Sequence, residues 1–148
     1  MKKIILFLAV SFIGLAATAQ TTTRFTNRNF DERTAQRLVT TDATPIYTDS
    51  VVLGTNEAGI ITLTAIGFAK DTAYSVTGQL QCRFNKRRGV LTLGAITAVE
   101  AVTADAVLSG ATFTLVAVNN NIYVRVTGKA TYSITWTSFV KQKSIRTY

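Results

Sequence analysis

The chain has 148 residues, a formal net charge of +8, one cysteine and no histidine. A single cysteine excludes a disulfide within the monomer, and the missing histidine removes the most common general base and metal ligand near neutral pH. The length suits one domain that can bury enough apolar surface to fold without metals or disulfides. The positive charge favours loose attraction to anionic partners such as glycans, and by itself it does not predict specific nucleic-acid binding.

The first nineteen residues have the three parts of a secretory signal peptide. Residues 1–3 (M-K-K) are positive, residues 4–16 are almost continuously apolar, and residues 17–19 (A-T-A) form a small-x-small cleavage signal before Gln20. The apolar stretch is shorter than the ~20 residues of a spanning helix, so an uncut anchor or an ordinary buried segment is the weaker interpretation. The sequence therefore predicts export to the periplasm, the cell surface or the medium.

Residues 20–37 differ in composition from the remainder of the chain after the signal peptide. They are polar, rich in threonine and basic, and their bulky apolar side chains are limited to Phe25 and Phe30. We interpret them as an arm or linker that is solvated, with gripping of a partner by its arginines as the alternative.

After Leu38, apolar and polar residues alternate, and Gly, Asn and Asp interrupt the pattern every eight to twelve residues. This spacing is typical of strands and turns. In the clearest case, alternation from residue 74 to 84 predicts one inward face, made of Tyr74, Val76, Gly78, Leu80, Cys82 and Phe84. Cys82 is therefore expected to be a buried, inert thiol rather than a reactive one.

The sequence of the last strands predicts how they are connected and how the domain is layered. Residues 119–121 (N-N-N) favour a tight hairpin turn and residues 127–130 a second turn, so we expect the final three strands to form an antiparallel meander. Trp136 shares its face with Ile134, which favours a core position over a sugar-stacking platform. About six to nine strands with one apolar face each predict an antiparallel β-sandwich or jelly roll over residues 38–148.

The densest charge lies between Cys82 and Gly89. Four cations, namely Arg83, Lys86, Arg87 and Arg88, occupy the end of one strand and the loop to the next. Arginine suits bidentate contacts with phosphate, sulfate or a glycan carboxylate, so these four residues are the candidate ligand-binding site. The alternative is a solvated hairpin tip, because the loop has no aromatic side chain to stack on sugars or bases.

The sequence shows no catalytic constellation. The acidic residues lie mostly in turns or in the arm, and their spacing selects no pair that would cleave a glycosidic bond. No phosphate-binding glycine loop, nucleophile elbow or metal-spaced cluster is present in the sequence. We therefore predict a protein that is not an enzyme and needs no cofactor or metal.

Several short motifs occur in a fixed order across the domain. They are A-T-P at residues 43–45, G-x-x-x-L-x-A at 59–65, Y-x-V-x-G at 74–78, V-L-T-L-G at 90–94, V-x-V-T-G at 124–128 and I-x-W at 134–136. In these motifs residues 38–140 resemble a domain of tail fibres and other tail-associated structural proteins of bacteriophages and prophages.

The resemblance implies a non-catalytic β-sandwich module that self-associates and either builds a virion appendage or attaches it to a cell surface. The predicted signal peptide favours the alternative, a secreted bacterial surface or carbohydrate-binding protein whose partner is a glycan or another anionic polymer. The first interpretation predicts a symmetric oligomer that buries an apolar edge or the arm. The second predicts a monomer whose loops bind an anionic glycan in a salt-sensitive way.

Overall fold

The computed structural model describes residues 21–27, 30–70 and 72–146, and the predicted signal peptide at residues 1–19 lies outside them. The all-β prediction is confirmed, since the described residues form strands apart from connecting segments and one turn of 3-10 helix at Ala106–Leu108. The strands are β1 (Thr21–Asn27), β2 (Phe30–Thr40), β3 (Pro45–Val51), β4 (Glu57–Ala69), β5 (Ser75–Arg87), β6 (Val90–Leu93), β7 (Thr97–Ala104), β8 (Thr112–Val118), β9 (Asn121–Thr127) and β10 (Ile134–Arg146).

The strands form two antiparallel sheets. The large sheet has the order β1-β2-β10-β4-β5-β6, and β7 pairs with the part of β5 that β6 leaves uncovered. The small sheet has the order β3-β9-β8. Strands β1 and β2 include residues that we predicted to be an arm, and β2 pairs with β10 along the large sheet. The division of the chain at residue 38 stays a prediction.

The core lies between the inner faces of the two sheets, as expected for a sandwich. Both sheets contribute fully buried side chains, such as Leu63 from β4 and Leu115 from β8. Trp136 of β10 is 1% exposed, and its ring lies edge-on to Phe113 of β8 with 6.4 Å between centroids. Its indole Nε1 donates a hydrogen bond to Thr40 Oγ1 at 2.9 Å. The prediction that Trp136 is a core residue is confirmed.

Strand β5 follows the predicted alternation, with Val76, Leu80, Cys82 and Phe84 buried on the inner face. Tyr74 differs, because it precedes the first residue of the strand and lies partly exposed, edge-on to Tyr132 at the sandwich end. Burial raises the pKa of the Cys82 thiol to about 11 by penalising the charged thiolate. The expected buried position of this thiol is confirmed.

The predicted meander is wrong in its last step. The β8–β9 hairpin forms as expected, with positive φ at Asn119 (47°) and Asn120 (59°). Strand β10, however, leaves the small sheet and pairs with β2 and β4 in the large one. The connection packs against the end of β2, since a Cβ at buried Gly128 would collide with the Thr40 hydroxyl. The alternation of apolar and polar residues correctly predicted which face of β10 is buried. It does not indicate which sheet the strand joins, because both sheets bury their inner faces in the same core.

Candidate functional site

The candidate site begins with the hairpin that joins β5 to β6. Arg88 (φ 51°) and Gly89 (φ 82°) are its two turn residues, and Arg87 pairs with Val90 directly below them. Positive φ at both turn residues is the geometry that matches the twist of a two-residue hairpin. Glycine adopts it freely, whereas arginine does so at a cost. The turn therefore projects Arg87 and Arg88 from one end of the large sheet, where both are exposed.

The loop between β3 and β4 holds this hairpin in place. The backbone N–H of Arg88 donates to Asn56 Oδ1 at 2.9 Å, and that of Gly89 donates to the Thr55 carbonyl at 3.1 Å. Lys86 Nζ donates to the Leu53 carbonyl at 3.1 Å. Three hydrogen bonds thus join the hairpin and the loop, so the cations are presented from an ordered surface. We call residues 53–57 and 86–89 the basic tip.

A buried carboxylate anchors the basic tip to the core. Glu57 is 2% exposed, and its Oε1 accepts hydrogen bonds from Gln142 Nε2 and Ser144 Oγ, both at 2.5 Å. Its Oε2 accepts from the Gly54 backbone N–H at 2.6 Å and lies 3.0 Å from Arg146 Nε. Both carboxylate oxygens are therefore occupied by donors within the protein.

The basic tip borders an open depression of about 570 Å³. The residues that line it are Asn56, Glu57, Ala58, Asn85, Lys86, Arg87, Arg88 and Ile145. Because Arg146 lies against the one carboxylate of this set, the cations of the hairpin give the depression an excess of positive charge. Ile145, which is 72% exposed, adds an apolar wall. The arrangement suits a ligand whose anionic group is attached to a partly apolar molecule.

Arg83 lies apart from the other three predicted residues. It contributes to an adjoining depression of about 400 Å³ that also includes Ile60, Thr92 and Gly94. In the large sheet Ile60 lies between Arg83 of β5 and Lys143 of β10, so the two cations flank one apolar side chain on the outer face. The structure thus brings three of the four predicted residues together and places the fourth beside them.

Sequence reasoning missed Asn56 and Arg146. Asn56 lies 32 positions from Arg88, and Arg146 follows the pattern of a solvated terminal strand, so neither was distinguishable in the sequence from an ordinary surface residue. One feature of the sequence could have indicated Glu57. It is the first residue of β4, a strand in which most of the alternate side chains are buried in the core.

The described acidic side chains are mostly engaged in local structure. Asp42 Oδ1 accepts the Thr44 N–H at 2.7 Å, Asp49 Oδ1 accepts the Ser50 N–H at 2.7 Å, and Asp105 Oδ2 accepts the Ser75 N–H at 2.6 Å. Within residues 21–27, 30–70 and 72–146, no group of three or more Cys, Asp or Glu side chains is placed to hold a metal. Absence of catalysis stays a prediction.

In the same part of the chain, no helix is both long and apolar enough to span a bilayer.

Comparison with known proteins gives one structural likeness. No family model matches the chain, and no curated protein matches it significantly. The tailspike protein of Acinetobacter baumannii phage AM24 is similar in structure, with a TM-score of 0.43 and 12% sequence identity over 81% of this chain and 27% of the tailspike. The chain spans about a quarter of the length of that tailspike.

Proposed function

We propose that this protein is a non-catalytic attachment module whose basic tip binds an anionic polymer, such as an acidic glycan, on a cell surface. The observation that carries the proposal is the ordered excess of positive charge at the tip. Lys86, Arg87 and Arg88 border one depression, and the Glu57 carboxylate there is already held by Arg146. A guanidinium presented from a fixed backbone loses little freedom on binding a carboxylate or sulfate.

Both settings considered from the sequence use such a module. A tail-associated protein attaches a particle to its host, and a secreted surface protein attaches a cell or polymer to its surroundings. The predicted signal peptide supports the secreted setting, and the motifs in residues 38–140 support the tail-associated one. In both settings the cations of the basic tip would bind the anionic polymer in the same way.

We expect the double variant Arg87→Gln/Arg88→Asn to bind heparin and the polyuronate alginate at least about tenfold more weakly than the wild type at low salt, because charge-assisted contacts are lost. Asn tolerates the positive φ at position 88, so the hairpin should remain folded. Binding is measured by biolayer interferometry at two NaCl concentrations, and the wild-type affinity should fall as salt rises.

The matched control is Lys70→Gln/Lys129→Gln, which removes two charges at the other end of the sandwich. It should retain most of the wild-type affinity. Equal losses in the two double variants would show that net charge alone drives binding, and an unchanged affinity of the tip variant would contradict the proposal outright.

A second candidate function, self-assembly, is favoured by the outer edge of β7, which pairs with no strand in the part of the chain that the structure describes. All eight residues of this strand are exposed, including Val99 (53%) and Val102 (36%), and Glu100 is its one charge. An apolar edge of this kind is a template for pairing with another chain.

We expect self-association through this edge, and Val99→Lys should abolish it by placing two charges in the pairing. Light scattering after size exclusion measures the mass. A wild-type monomer, or an oligomer that Val99→Lys leaves intact, would rule out assembly through β7.

A further inference from the structure

The depression at the basic tip continues onto the outer face of the large sheet. It shares Ala58 and Asn85 with the adjoining depression of about 400 Å³, which extends to Ile60, Arg83 and Thr92. Ala58 and Asn85 are opposite each other in the register of β4 and β5, and both are exposed. On β4 the side chain between the two depressions is therefore only a methyl group. The two depressions form one continuous surface, which we call the outer groove.

Exposed cations lie at intervals along the outer groove. Arg87 is at its tip end, and Arg83 follows on the same face of β5, about 13 Å away along the strand. Lys143 of β10 lies across Ile60 from Arg83, two strands or about 10 Å away. Among the described residues that line the groove, Glu57 is the one carboxylate, and its oxygens are already occupied. A ligand that contacts all three cations must be longer than a single sugar.

The uncharged side chains of the outer groove favour a polysaccharide over other polyanions. Ile60 is 38% exposed and presents an apolar surface between two of the cations. Asn85 and Thr92 supply an amide and a hydroxyl that can hydrogen-bond to sugar hydroxyls. Among the described residues that line the groove, the one aromatic side chain is Phe84, and it is 3% exposed. The groove thus offers no ring on which the bases of a nucleic acid can stack.

We propose that an anionic polysaccharide binds along the outer groove as an extended chain, with acidic groups at Arg87, Arg83 and Lys143 in turn. The apolar face of one sugar ring packs on Ile60. This inference rests on the proposed function, because it gives the path of the polymer beyond the basic tip. A short anionic sugar then occupies the tip alone, whereas a longer chain gains affinity from the groove because its second contact is intramolecular.

The test compares a heparin disaccharide with a heparin octasaccharide, each titrated into the ¹⁵N-labelled full chain at low salt. The disaccharide should shift backbone amides at residues 54–57 and 86–89 only. The octasaccharide should shift these and also residues 58–60, 83–85 and 142–144. An oligothymidylate of matched charge should bind at least about tenfold more weakly than the octasaccharide, because its bases find no stacking partner. Equal binding of the two polymers would overturn the assignment to a polysaccharide.

Removal of the two groove cations should affect the longer ligand selectively. We expect Arg83→Gln/Lys143→Gln to bind the octasaccharide at least about tenfold more weakly than the wild type and the disaccharide nearly as well. The matched control is Lys70→Gln/Lys129→Gln, which removes the same charge at the other end of the sandwich and should retain most of the affinity for both. Equal losses in the two double variants would overturn the inference, because net charge alone would explain them.

A block at the junction of the two depressions gives a test that leaves the charge unchanged. Ala58→Tyr should abolish the octasaccharide shifts at residues 83–85 and 142–144 and retain those at 86–89. Its control is Ile66→Tyr, at a 43% exposed position further along the same face of β4, which should leave all of the shifts in place. Shifts along the groove that persist in Ala58→Tyr would contradict a continuous path.

The inference and the proposed function fail in different ways. If the octasaccharide shifts only the tip residues, or if Arg83→Gln/Lys143→Gln binds it as tightly as the wild type, the path along the groove is overturned and binding at the tip stands. If neither heparin probe shifts the tip residues, the proposed function is overturned together with this inference.

Discussion

Glu57→Ala is expected to lower the free energy of unfolding by about 2–4 kcal/mol, because a buried donor that loses its acceptor costs about 1–3 kcal/mol. The substitution leaves Gln142 Nε2, Ser144 Oγ and the Gly54 N–H without their acceptor. Two of these donors belong to buried side chains of β10, where water does not replace the carboxylate easily. Urea unfolding followed by tryptophan fluorescence measures the loss.

The control for Glu57 is Glu100→Ala, which removes an exposed carboxylate from β7 and should change stability by less than about 0.5 kcal/mol. Stability of Glu57→Ala within about 1 kcal/mol of the wild type would show that the carboxylate network is not a structural anchor.

Trp136→Ala is expected to cost about 3–5 kcal/mol of unfolding free energy, as large aromatic truncations in cores do. The indole fills the space between the sheets against Phe113, and its close fit is visible at Gly67, where an added Cβ would lie 2.8 Å from the ring. The variant also leaves the buried Thr40 hydroxyl without its donor. Circular dichroism during urea unfolding measures the change, because the only tryptophan is lost.

Trp136→Phe should cost less, since the phenyl ring keeps part of the packing and loses only the hydrogen bond and some volume. Phe68→Ala, at a half-exposed site, should cost little. If Trp136→Ala and Phe68→Ala were equally destabilising, the position of Trp136 at the centre of the sandwich would be contradicted.

The alternation of side chains predicted the fold class and most inner-face residues, because a strand with one buried face must alternate. It correctly placed Cys82 and Trp136 in the core. It did not predict which sheet β10 joins, because Ile134 and Trp136 are buried in either arrangement. Strand partnership depends on non-local pairing, such as Trp136 with Leu38 and Gly67, which the local pattern does not contain.

The part of the candidate site formed by neighbouring residues could be predicted from the sequence, and the part formed by residues distant along the chain could not. Lys86, Arg87 and Arg88 are consecutive, so their charge was visible in the sequence. The support from Asn56 and from the Glu57–Arg146 pair connects residues distant along the chain.

Binding of an anionic polymer by the basic tip can be tested by mapping the surface that the polymer covers. The ¹⁵N-labelled full chain is titrated with a size-defined heparin fragment at low salt, and backbone amide shifts are followed. We expect the largest shifts at residues 54–57 and 86–89, where the Arg88 and Gly89 amides bond to the supporting loop, and their reversal by added NaCl. Shifts confined to other surfaces, or no shifts under these conditions, would contradict it.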